Sequence, residues 1–484
     1  MSELHYRPAL ALGRLLRAGK IRARDLLDLS LERYTAYNDV VNAVAVTDIT
    51  RARKAAAAAD RRLKRKEPLG PFDGVPMTVK ESFDWTGTPS TWGAPVHAAN
   101  IAERDALVLK RMSDAGAVIY GKTNVPLMLA DWQSFNAIYG TTNNPWDLVR
   151  APGGSSGGSA VALATGMSAL EVGSDIGASI RNPAHYCGVY GHKPTFGVVP
   201  MRGQMLPGVV SPSDISVAGP LARSAGDLAA MLKLMAGADP ERDGGIQYNL
   251  APARQTAFKD FRVAVMLSDP ASEVDQPVQD LIAKLAEFLK GKTKKLSMTA
   301  RPAFSSREAM DVYIALLRSA TSRRQSEDEF AANRKKVDGF AAGDHSYLAQ
   351  MLRAYVLPHR TWLAFNERRH QMRLLWNAFF EDWDVLLCPA AASAAFPHDH
   401  KGERHERTIL VNGKQVPTTD QLFWAGYSGA FYLPSTVAPI GLTSQGLPSG
   451  VQIIARQYSD FTAMRFAELL ERHYYDFVPP PAFP

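Results

Sequence analysis

Apolar residues recur along the chain with two different spacings, and each spacing predicts a different element. Between residues 278 and 289 they fall three or four positions apart, which is the spacing of one face of an α-helix. Leu27, Leu31 and Tyr34 follow the same spacing near the start of the chain. Short continuous apolar runs are typical of strands buried on both faces of a sheet, and they occupy residues 117–120, 262–267, 385–388 and 450–455.

Helices that alternate with such strands predict an α/β fold, with a largely parallel sheet that is covered by helices on both faces. The length of 484 residues would suit two or three domains, but no segment resembles a flexible linker. We therefore predict a single large domain over residues 1–484. Residues 300–380 look mostly helical, and we expect them to form part of the wall on the substrate side.

The charge balance is basic, with 55 Lys and Arg residues against 48 Asp and Glu residues and a net charge of +7. A basic protein invites a nucleic-acid-binding hypothesis. The cations are dispersed, however, and the local clusters at residues 61–66 and 290–295 look like solvated helix ends. We therefore predict that the chain has no nucleic-acid partner.

The cysteine content and the N-terminal sequence predict the cellular compartment. The two cysteines, Cys187 and Cys388, are far apart, which argues against a disulfide framework and suits a reducing cytoplasm. Glu3 lies where a signal peptide would be basic, and no apolar run is long enough to cross a bilayer. We expect a cytoplasmic protein without a membrane partner.

Three short segments carry the residue types that acyl transfer requires. The run VPMTVK ends at Lys80, the run GGSSGGS contains Ser155, and the run GSDIGASIRNP contains Ser179. A serine hydroxyl is a poor nucleophile near neutral pH, so a neighbouring base must take its proton. Lys80 can do so only if burial lowers its pKa by about three units from roughly 10.4. A lysine at the end of an apolar strand is placed for such burial, and Ser155 fits the role of a proton bridge.

Groups around Ser179 are candidates for stabilising the negative charge that develops on a carbonyl oxygen during attack. A run of small residues can turn consecutive backbone N–H groups toward one point. The predicted donors are Ile176, Gly177, Ala178 and Ser179. We expect Asp175 and Arg181 to support this loop, because a carboxylate accepts backbone N–H bonds and an arginine pairs with a carboxylate.

These segments resemble the amidase signature family of serine hydrolases, whose pattern is a lysine after a short strand, a GGSSGG loop and a G-S/T-D-x-G-x-S-I-R-x-P run. The resemblance covers most of the chain and is strongest over residues 70–225. It implies that Ser179 is the nucleophile, Ser155 the bridging serine and Lys80 the base, with no cofactor and no metal. It also implies a mixed central β-sheet with helices on each side.

Two further positions are interpreted through the same resemblance. The family's bridging serine follows a cis peptide bond, and a glycine before it, here Gly154, makes that conformation easier to hold. Many members have glycine where this chain has Ala178, whose methyl group could narrow the oxyanion pocket.

Three other patterns point to different chemistry, and their surroundings argue against it. The run GAVIYGKT satisfies the P-loop expression, but its middle residues are apolar and β-favouring, so we expect a buried strand. Ser156 fits the G-x-S-x-G nucleophile elbow, but a turn-rich segment precedes it instead of a strand. Zinc-ligand residue types gather in one loop that we expect to be solvated, at His398, Asp399, His400 and His405.

The acyl group of the substrate is predicted from the segment after Asn124, where many relatives carry polar or acidic residues. This chain has an apolar segment there, which is similar to the one that lines the acyl pocket of fatty-acid and aryl amidases. The candidate substrate-binding residues are Met128, Leu129, Ala130 and Trp132. Three aromatic residues could join this wall or belong to the core: Phe423, Trp424 and Tyr427.

Three functional hypotheses follow. The leading one is an amide hydrolase that cleaves linear carboxamides with aryl or aliphatic acyl groups, and also esters, to a carboxylic acid plus ammonia or an amine. The second is the glutaminase subunit of a tRNA-dependent amidotransferase, which would need partner subunits. The third is a non-catalytic, basic nucleic-acid-binding protein. The sequence leaves the acyl group, the leaving amine and the oligomeric state open, with a homodimer as one option.

Overall fold

A computed structural model describes residues 4–484, and its largest feature is one sheet of eleven strands. Two short hairpins, β4 with β5 and β12 with β13, lie outside this sheet. In chain order the strands are β1 (Val44–Thr47), β2 (Pro76–Lys80), β3 (Val118–Thr123), β4 (Phe135–Asn136), β5 (Gly140–Thr141), β6 (Leu170–Asp175), β7 (Tyr190–Lys193), β8 (Val217–Ala222), β9 (Arg262–Val265), β10 (Lys295–Ser297), β11 (Val385–Pro389), β12 (Thr408–Val411), β13 (Lys414–Pro417), β14 (Ser435–Leu442) and β15 (Pro448–Ala455).

Helices cover both faces of this sheet, as predicted. In chain order they are α1 (Ala9–Arg17), α2 (Ala23–Val41), α3 (Ile49–Lys64), α4 (Leu107–Asp114), α5 (Gly157–Ala164), α6 (Arg181–Cys187), α7 (Ala225–Met235), α8 (Gln276–Leu289), α9 (Ser306–Thr321), α10 (Glu327–Val337), α11 (Tyr347–Tyr355), α12 (His359–Asp382), α13 (Leu422–Gly429) and α14 (Asp460–His473).

The sheet is mixed. Its strand order is β1-β3-β2-β6-β8-β7-β14-β15-β11-β9-β10. β2 pairs in parallel with β3 and β6, and β9 pairs in parallel with β10 and β11, whereas the strands between these two groups run antiparallel. The prediction of a largely parallel sheet was wrong, because an apolar run indicates that a strand is buried but not its direction. The mixed sheet implied by the family resemblance is confirmed.

The hydrophobic pattern located individual elements well. The four apolar runs fall within or overlap β3, β9, β11 and β15. The amphipathic segment lies in α8, which buries Val278, Ile282, Leu285 and Leu289 against the core. The run that imitates a P-loop forms the wholly buried strand β3, which is followed by a single 3-10 turn (Leu127–Leu129) and not by an α-helix.

Two neighbouring parallel strands bring the candidate catalytic segments to one edge of the sheet. Val79 of β2 lies opposite Val172 of β6, so the carboxyl ends of both strands point the same way. Lys80 ends β2 and Asp175 ends β6. The loop GGSSGGS leads into α5, which packs on β2, β3, β6 and β8. The three segments therefore converge although about a hundred residues separate the first from the last.

Residues 300–380 contain α9, α10, α11 and most of α12. α9 packs against α11, α12 and α13, and its C-terminal turn reaches the same edge of the sheet as Lys80. None of the helices within residues 4–484 combines the length and the apolar character that a bilayer-spanning segment requires.

Candidate active site

Lys80 lies fully buried at the end of β2, and its amine contacts hydroxyl groups. Its Nζ donates to Ser155 Oγ at 2.7 Å and to Ser174 Oγ at 3.0 Å. Burial lowers the pKa of Lys80 from its usual 10.5 to about 7, against the opposing effect of Asp175 and other nearby carboxyl groups. A substantial fraction of the amine is therefore neutral near pH 7.

Glu171 is a second carboxyl group that acts on the charge of Lys80, and the sequence analysis did not single it out. Its carboxyl group is fully buried and accepts a hydrogen bond from the hydroxyl of Thr78. Burial raises the pKa of Glu171 to about 8, whereas the charge of its ionised form acts to raise the pKa of Lys80.

The peptide bond between Gly154 and Ser155 is cis, as the family resemblance implies. Position 154 also has no room for a side chain, because a Cβ there would lie 2.3 Å from the carbonyl oxygen of Asp131. Gly154 N donates to Asn182 Oδ1 at 3.2 Å, which ties the loop to the first turn of α6. These contacts hold the Ser155 hydroxyl within hydrogen-bond distance of Lys80 Nζ.

Some backbone N–H groups of the loop between β6 and α6 donate to Asp175, and others have no acceptor among the described residues. Ala178 N donates to Asp175 Oδ1 at 3.0 Å, and Ile180 N donates to Asp175 Oδ2 at 3.0 Å. Within residues 4–484, the N–H groups of Ile176, Gly177 and Ser179 have no acceptor. Asp175 thus engages the N–H groups of Ala178 and Ile180 and leaves those of Ile176, Gly177 and Ser179 free for a ligand.

Side chains from other elements fix this loop by donating hydrogen bonds to the carbonyl oxygens of Ile176 and Gly177. Tyr313 Oη donates to Ile176 O at 2.9 Å, and Trp132 Nε1 donates to Gly177 O at 2.8 Å. Three of the four predicted oxyanion donors are therefore available. Ala178, the fourth predicted donor, is not available, because its N–H group donates to Asp175. Its φ of +69° lies in the left-handed region, where glycine is easier to accommodate.

Ser179 lies next to the bridging loop and at the junction of two cavities. Its carbonyl oxygen accepts a hydrogen bond from Ser156 N at 3.1 Å. Ser155 and Ser179 both line a cleft of about 700 Å³, and Ser179 also lines a smaller cavity of about 400 Å³. α6 begins at Arg181 with Ile180 at its N-cap, so Ser179 does not cap the helix.

Asp175 and Arg181 form a buried ion pair, with Arg181 Nη2 2.8 Å from Asp175 Oδ1. Burial would raise the pKa of Asp175, but the Arg181 charge and the hydrogen bonds around the carboxylate bring it below its usual range. Arg181 Nη1 also donates to Ser428 Oγ at 2.9 Å and to Gln452 Oε1 at 2.7 Å. The pair joins the loop to α13 and β15.

Replacing Arg181 with methionine is expected to lower the free energy of unfolding by about 3–5 kcal/mol, because it leaves the Asp175 carboxylate buried without its countercharge. Urea denaturation followed by circular dichroism measures this difference. Arg22→Met removes a fully exposed arginine from an ion pair and serves as the control. A loss for Arg181→Met as small as that of the control would contradict the supporting role of this pair.

Part of the predicted substrate-binding segment lines the two cavities. Leu129 lines both cavities, and Ala130 and Trp132 line the smaller one. Met128, which we also predicted as a substrate-binding residue, lines neither cavity. Its carbonyl oxygen instead accepts a hydrogen bond from Arg324 Nη1 at 2.8 Å. Its φ of +53° belongs to a tight turn.

The aromatic cluster of α13 belongs to the core. Phe423 and Trp424 are 1% and 0% exposed, and Tyr427 packs edge-on against Trp376 at a ring distance of 5.2 Å. The larger cleft instead takes its apolar lining from residues that the sequence analysis did not single out. They are Trp92, Met201, Met205, Leu206 and Val209.

The patterns that suggested other chemistry have structural roles. Lys122 of the P-loop-like run donates to Ser90 Oγ at 2.9 Å and to the carbonyl oxygen of Pro89. Ser156 of the elbow-like run is buried at the start of α5. His398 and His400 stack edge to face at 5.1 Å, and within residues 4–484 no group of three or more His, Cys, Asp or Glu side chains is arranged to hold a metal.

Comparisons with known proteins match this geometry. A family model described as Amidase matches residues 25–464. A glutamyl-tRNA(Gln) amidotransferase subunit of Acidothermus cellulolyticus is 32% identical over 98% of this chain and 95% of its own length. Fatty-acid amide hydrolase 2 of Homo sapiens is 30% identical over 98% of this chain and 90% of its own length.

A solved structure agrees with the sequence comparisons. The crystal structure of a bacterial aryl acylamidase, described as belonging to the amidase signature family, superposes with a TM-score of 0.81 at 25% identity and covers 97% of this chain and 96% of its own. The chain belongs to the amidase family, and it is an enzyme of the class that hydrolyses carbon–nitrogen bonds in amides.

Proposed function

We propose that this chain hydrolyses linear carboxamides through a seryl acyl-enzyme, with Ser179 as nucleophile, Ser155 as proton bridge and Lys80 as base. The observation that carries the proposal is the fully buried Lys80 amine 2.7 Å from the Ser155 hydroxyl, with its pKa lowered by burial to about 7. A neutral amine in this position can accept the proton that Ser179 loses as it attacks.

The reaction proceeds in two halves. The Ser179 Oγ attacks the amide carbon while its proton passes to Ser155 and the Ser155 proton passes to Lys80. The carbonyl oxygen then carries a negative charge, which the N–H groups of Ile176, Gly177 and Ser179 stabilise. The C–N bond breaks as the relay returns a proton to the departing nitrogen. Water attacks the acyl-enzyme by the same route and releases the carboxylic acid, and an ester enters through the same tetrahedral intermediate.

The larger cleft supports an apolar acyl group. Its lining has an apolar part with Trp92, Met201, Met205 and Val209, beside a polar part that includes Gln204, Arg323 and Arg324. The apolar part suits an aryl or medium-length aliphatic group. Methionine side chains adapt to irregular shapes, so we propose a tolerance for several acyl groups of similar size.

A panel of aryl, alkyl and amino-acid amides tests this proposal. The purified chain alone should release ammonia or an amine from aryl or alkyl amides, and Ser179→Ala should abolish that release. No Ser179-dependent hydrolysis of any member of the panel would contradict the proposal.

The pH dependence of kcat/KM should follow the lysine. The base works in its neutral form, so kcat/KM is expected to fall about tenfold per pH unit below an apparent pKa near 7 and to level off above it. Steady-state rates between pH 5 and 9 with a neutral amide, whose own charge does not change, measure this profile. A profile that stays flat from pH 5 to 7 would show that no group with this pKa acts as the base.

The glutaminase subunit of an amidotransferase is the second candidate, because relatives at 30–32% identity are named as a subunit of glutamyl-tRNA(Gln) amidotransferase. The apolar part of the larger cleft, which includes Trp92, Met201 and Met205, favours a stand-alone amide hydrolase. Hydrolysis of glutamine in preference to every aryl and alkyl amide of the panel, including glutaramate, which lacks only the α-amino group of glutamine, would reverse this order.

A further inference from the structure

The smaller cavity beside Ser179 is bordered by three arginines from separate parts of the chain. Arg318 comes from the last turn of α9, Arg324 from the turn that follows it, and Arg404 from the segment before β12. We call this cavity of about 400 Å³ the arginine pocket. The rest of its wall is mainly apolar, with Leu129, Ala130, Trp132, Leu317 and Leu422.

None of these three arginines has a carboxylate partner within 4 Å in residues 4–484. Arg324 Nη1 donates to Met128 O at 2.8 Å, and Arg404 Nη1 donates to Ala130 O at 2.8 Å. Arg318 is 8% exposed, its guanidinium lies over the Tyr347 ring, and its Nε is buried without an acceptor. Donors of all three thus remain unused by any charged group.

Arg407, which lies outside the pocket, shows the contrast. Arg407 is bound to Asp131 at 2.6 Å, and Asp131 is the one carboxylate among the described residues that line the arginine pocket. Asp131 Oδ1 also accepts a hydrogen bond from Gln133 N at 3.2 Å. The carboxylate of Asp131 is therefore committed, and the pocket keeps an excess of positive charge.

At Arg324 this excess acts against the charged form of the side chain. Burial lowers the pKa of Arg324 to about 10, and the charges of Arg318 and Arg404 act in the same direction. Like charges held together in a partly buried site are stabilised by a ligand of opposite sign. Guanidinium groups match a carboxylate in shape as well as charge, because their N–H donors form parallel pairs of hydrogen bonds.

We propose that the arginine pocket binds a carboxylate carried by the amide substrate, so that the preferred substrates are amides of anionic molecules. This inference rests on the proposed function, because Ser179 borders both the pocket and the larger cleft and so places the carboxylate near the scissile bond. The apolar wall between Leu129 and Leu422 accommodates the methylene or aryl spacer.

Matched pairs of amides test this proposal. One pair is adipamate, the monoamide of adipic acid, and 6-methylheptanamide, in which an isopropyl group replaces the carboxylate. The other is N-butanoyl-β-alanine and N-isopentylbutanamide, which carry the same change on the amine side. Shorter and longer spacers extend both series. At least one carboxylate should have a kcat/KM about 10–100 times that of its neutral twin, which is the range expected for hydrogen bonds to a charged group.

Variants of the pocket should reduce this preference. Arg324→Met and, independently, Arg318→Met are each expected to lower the ratio of anionic to neutral kcat/KM about tenfold. Arg334→Met removes the same charge from the exposed surface of α10 and should leave the ratio unchanged. Equal ratios for wild type and both pocket variants would overturn the proposal.

Binding separates this proposal from the proposed function. Calorimetry with Ser179→Ala should show tighter binding of the carboxylate than of its neutral twin, and Arg324→Met in that background should remove the difference. If turnover of neutral amides depends on Ser179 but no carboxylate is favoured, the pocket assignment fails alone. If carboxylates bind preferentially but Ser179→Ala changes no turnover, the catalytic assignment fails alone.

Discussion

Ser179→Ala is expected to lower kcat/KM for every amide substrate by at least about 10⁴-fold, because the variant has no hydroxyl to form the acyl-enzyme. Substrate affinity should change little, since the β-carbon, which serine and alanine have in common, still lines both cavities. Single-turnover kinetics with an aryl amide, at enzyme concentrations well above that of the substrate, measures this loss.

Ser156→Ala is the matched control for this loss. Ser156 is a buried serine in the same loop, and its backbone N–H, which holds Ser179 O, remains in the variant. We expect Ser156→Ala to keep kcat/KM within about tenfold of wild type. If Ser156→Ala is inactive and Ser179→Ala is active, Ser156 is the nucleophile, as the G-x-S-x-G pattern around it would predict.

Lys80→Met should lower kcat/KM by about 10²–10⁴-fold, which is the usual contribution of a general base. Methionine has a similar length and is apolar, so it suits a position that is 0% exposed and should not unfold the protein. The loss should be smallest at low pH, where Lys80 of the wild-type enzyme is itself protonated and inactive. Rates at pH 6 and pH 8 therefore distinguish the loss of a base from general damage.

Lys122→Met is the control for Lys80→Met. Lys122 is also buried, lies on the neighbouring strand β3, and has a pKa lowered by burial to about 8. It contacts Ser90 rather than a serine of the candidate site. A pH-independent loss that is equal in both variants would contradict the assignment of Lys80 as the base.

The sequence predicted the elements of the fold better than their arrangement. Apolar runs located β3, β9, β11 and β15, because burial on both faces excludes polar side chains from a strand. The antiparallel block from β8 to β15 depends on how the chain returns between strands, and no local pattern encodes that path. The family resemblance supplied the mixed sheet that periodicity could not.

The same division applies to the candidate site. The burial of Lys80 was predictable because an apolar strand carries it inward, and its contact with Ser155 was expected from the chemistry. Its second contact, to Ser174, follows from the pairing register of β2 with β6, which becomes visible only once the two strands are known to be neighbours. The engagement of Ala178 N by Asp175 depends on backbone angles that side-chain identity does not fix.

The arginine pocket was outside the reach of sequence analysis for a related reason. Arg318, Arg324 and Arg404 are ordinary surface-type residues in the sequence, and the separation of the first and last is more than eighty positions. Their shared cavity arises because α9 and the segment before β12 both border Ser179. A cluster of unpaired charges of this kind is a property of the packing, not of any motif.

Covalent labelling can show whether a neutral Lys80 activates Ser179. A fluorophosphonate probe reacts with an activated serine in one step, so its rate reports activation without the complication of substrate choice. We expect a single adduct on Ser179, located by peptide mass spectrometry. Its rate of formation should rise with pH to a plateau with an apparent pKa near 7 in wild type and should lose this rise in Lys80→Met. An adduct on another residue, or a rate on Ser179 with the same pH dependence in wild type and Lys80→Met, would contradict the activation of Ser179 by Lys80.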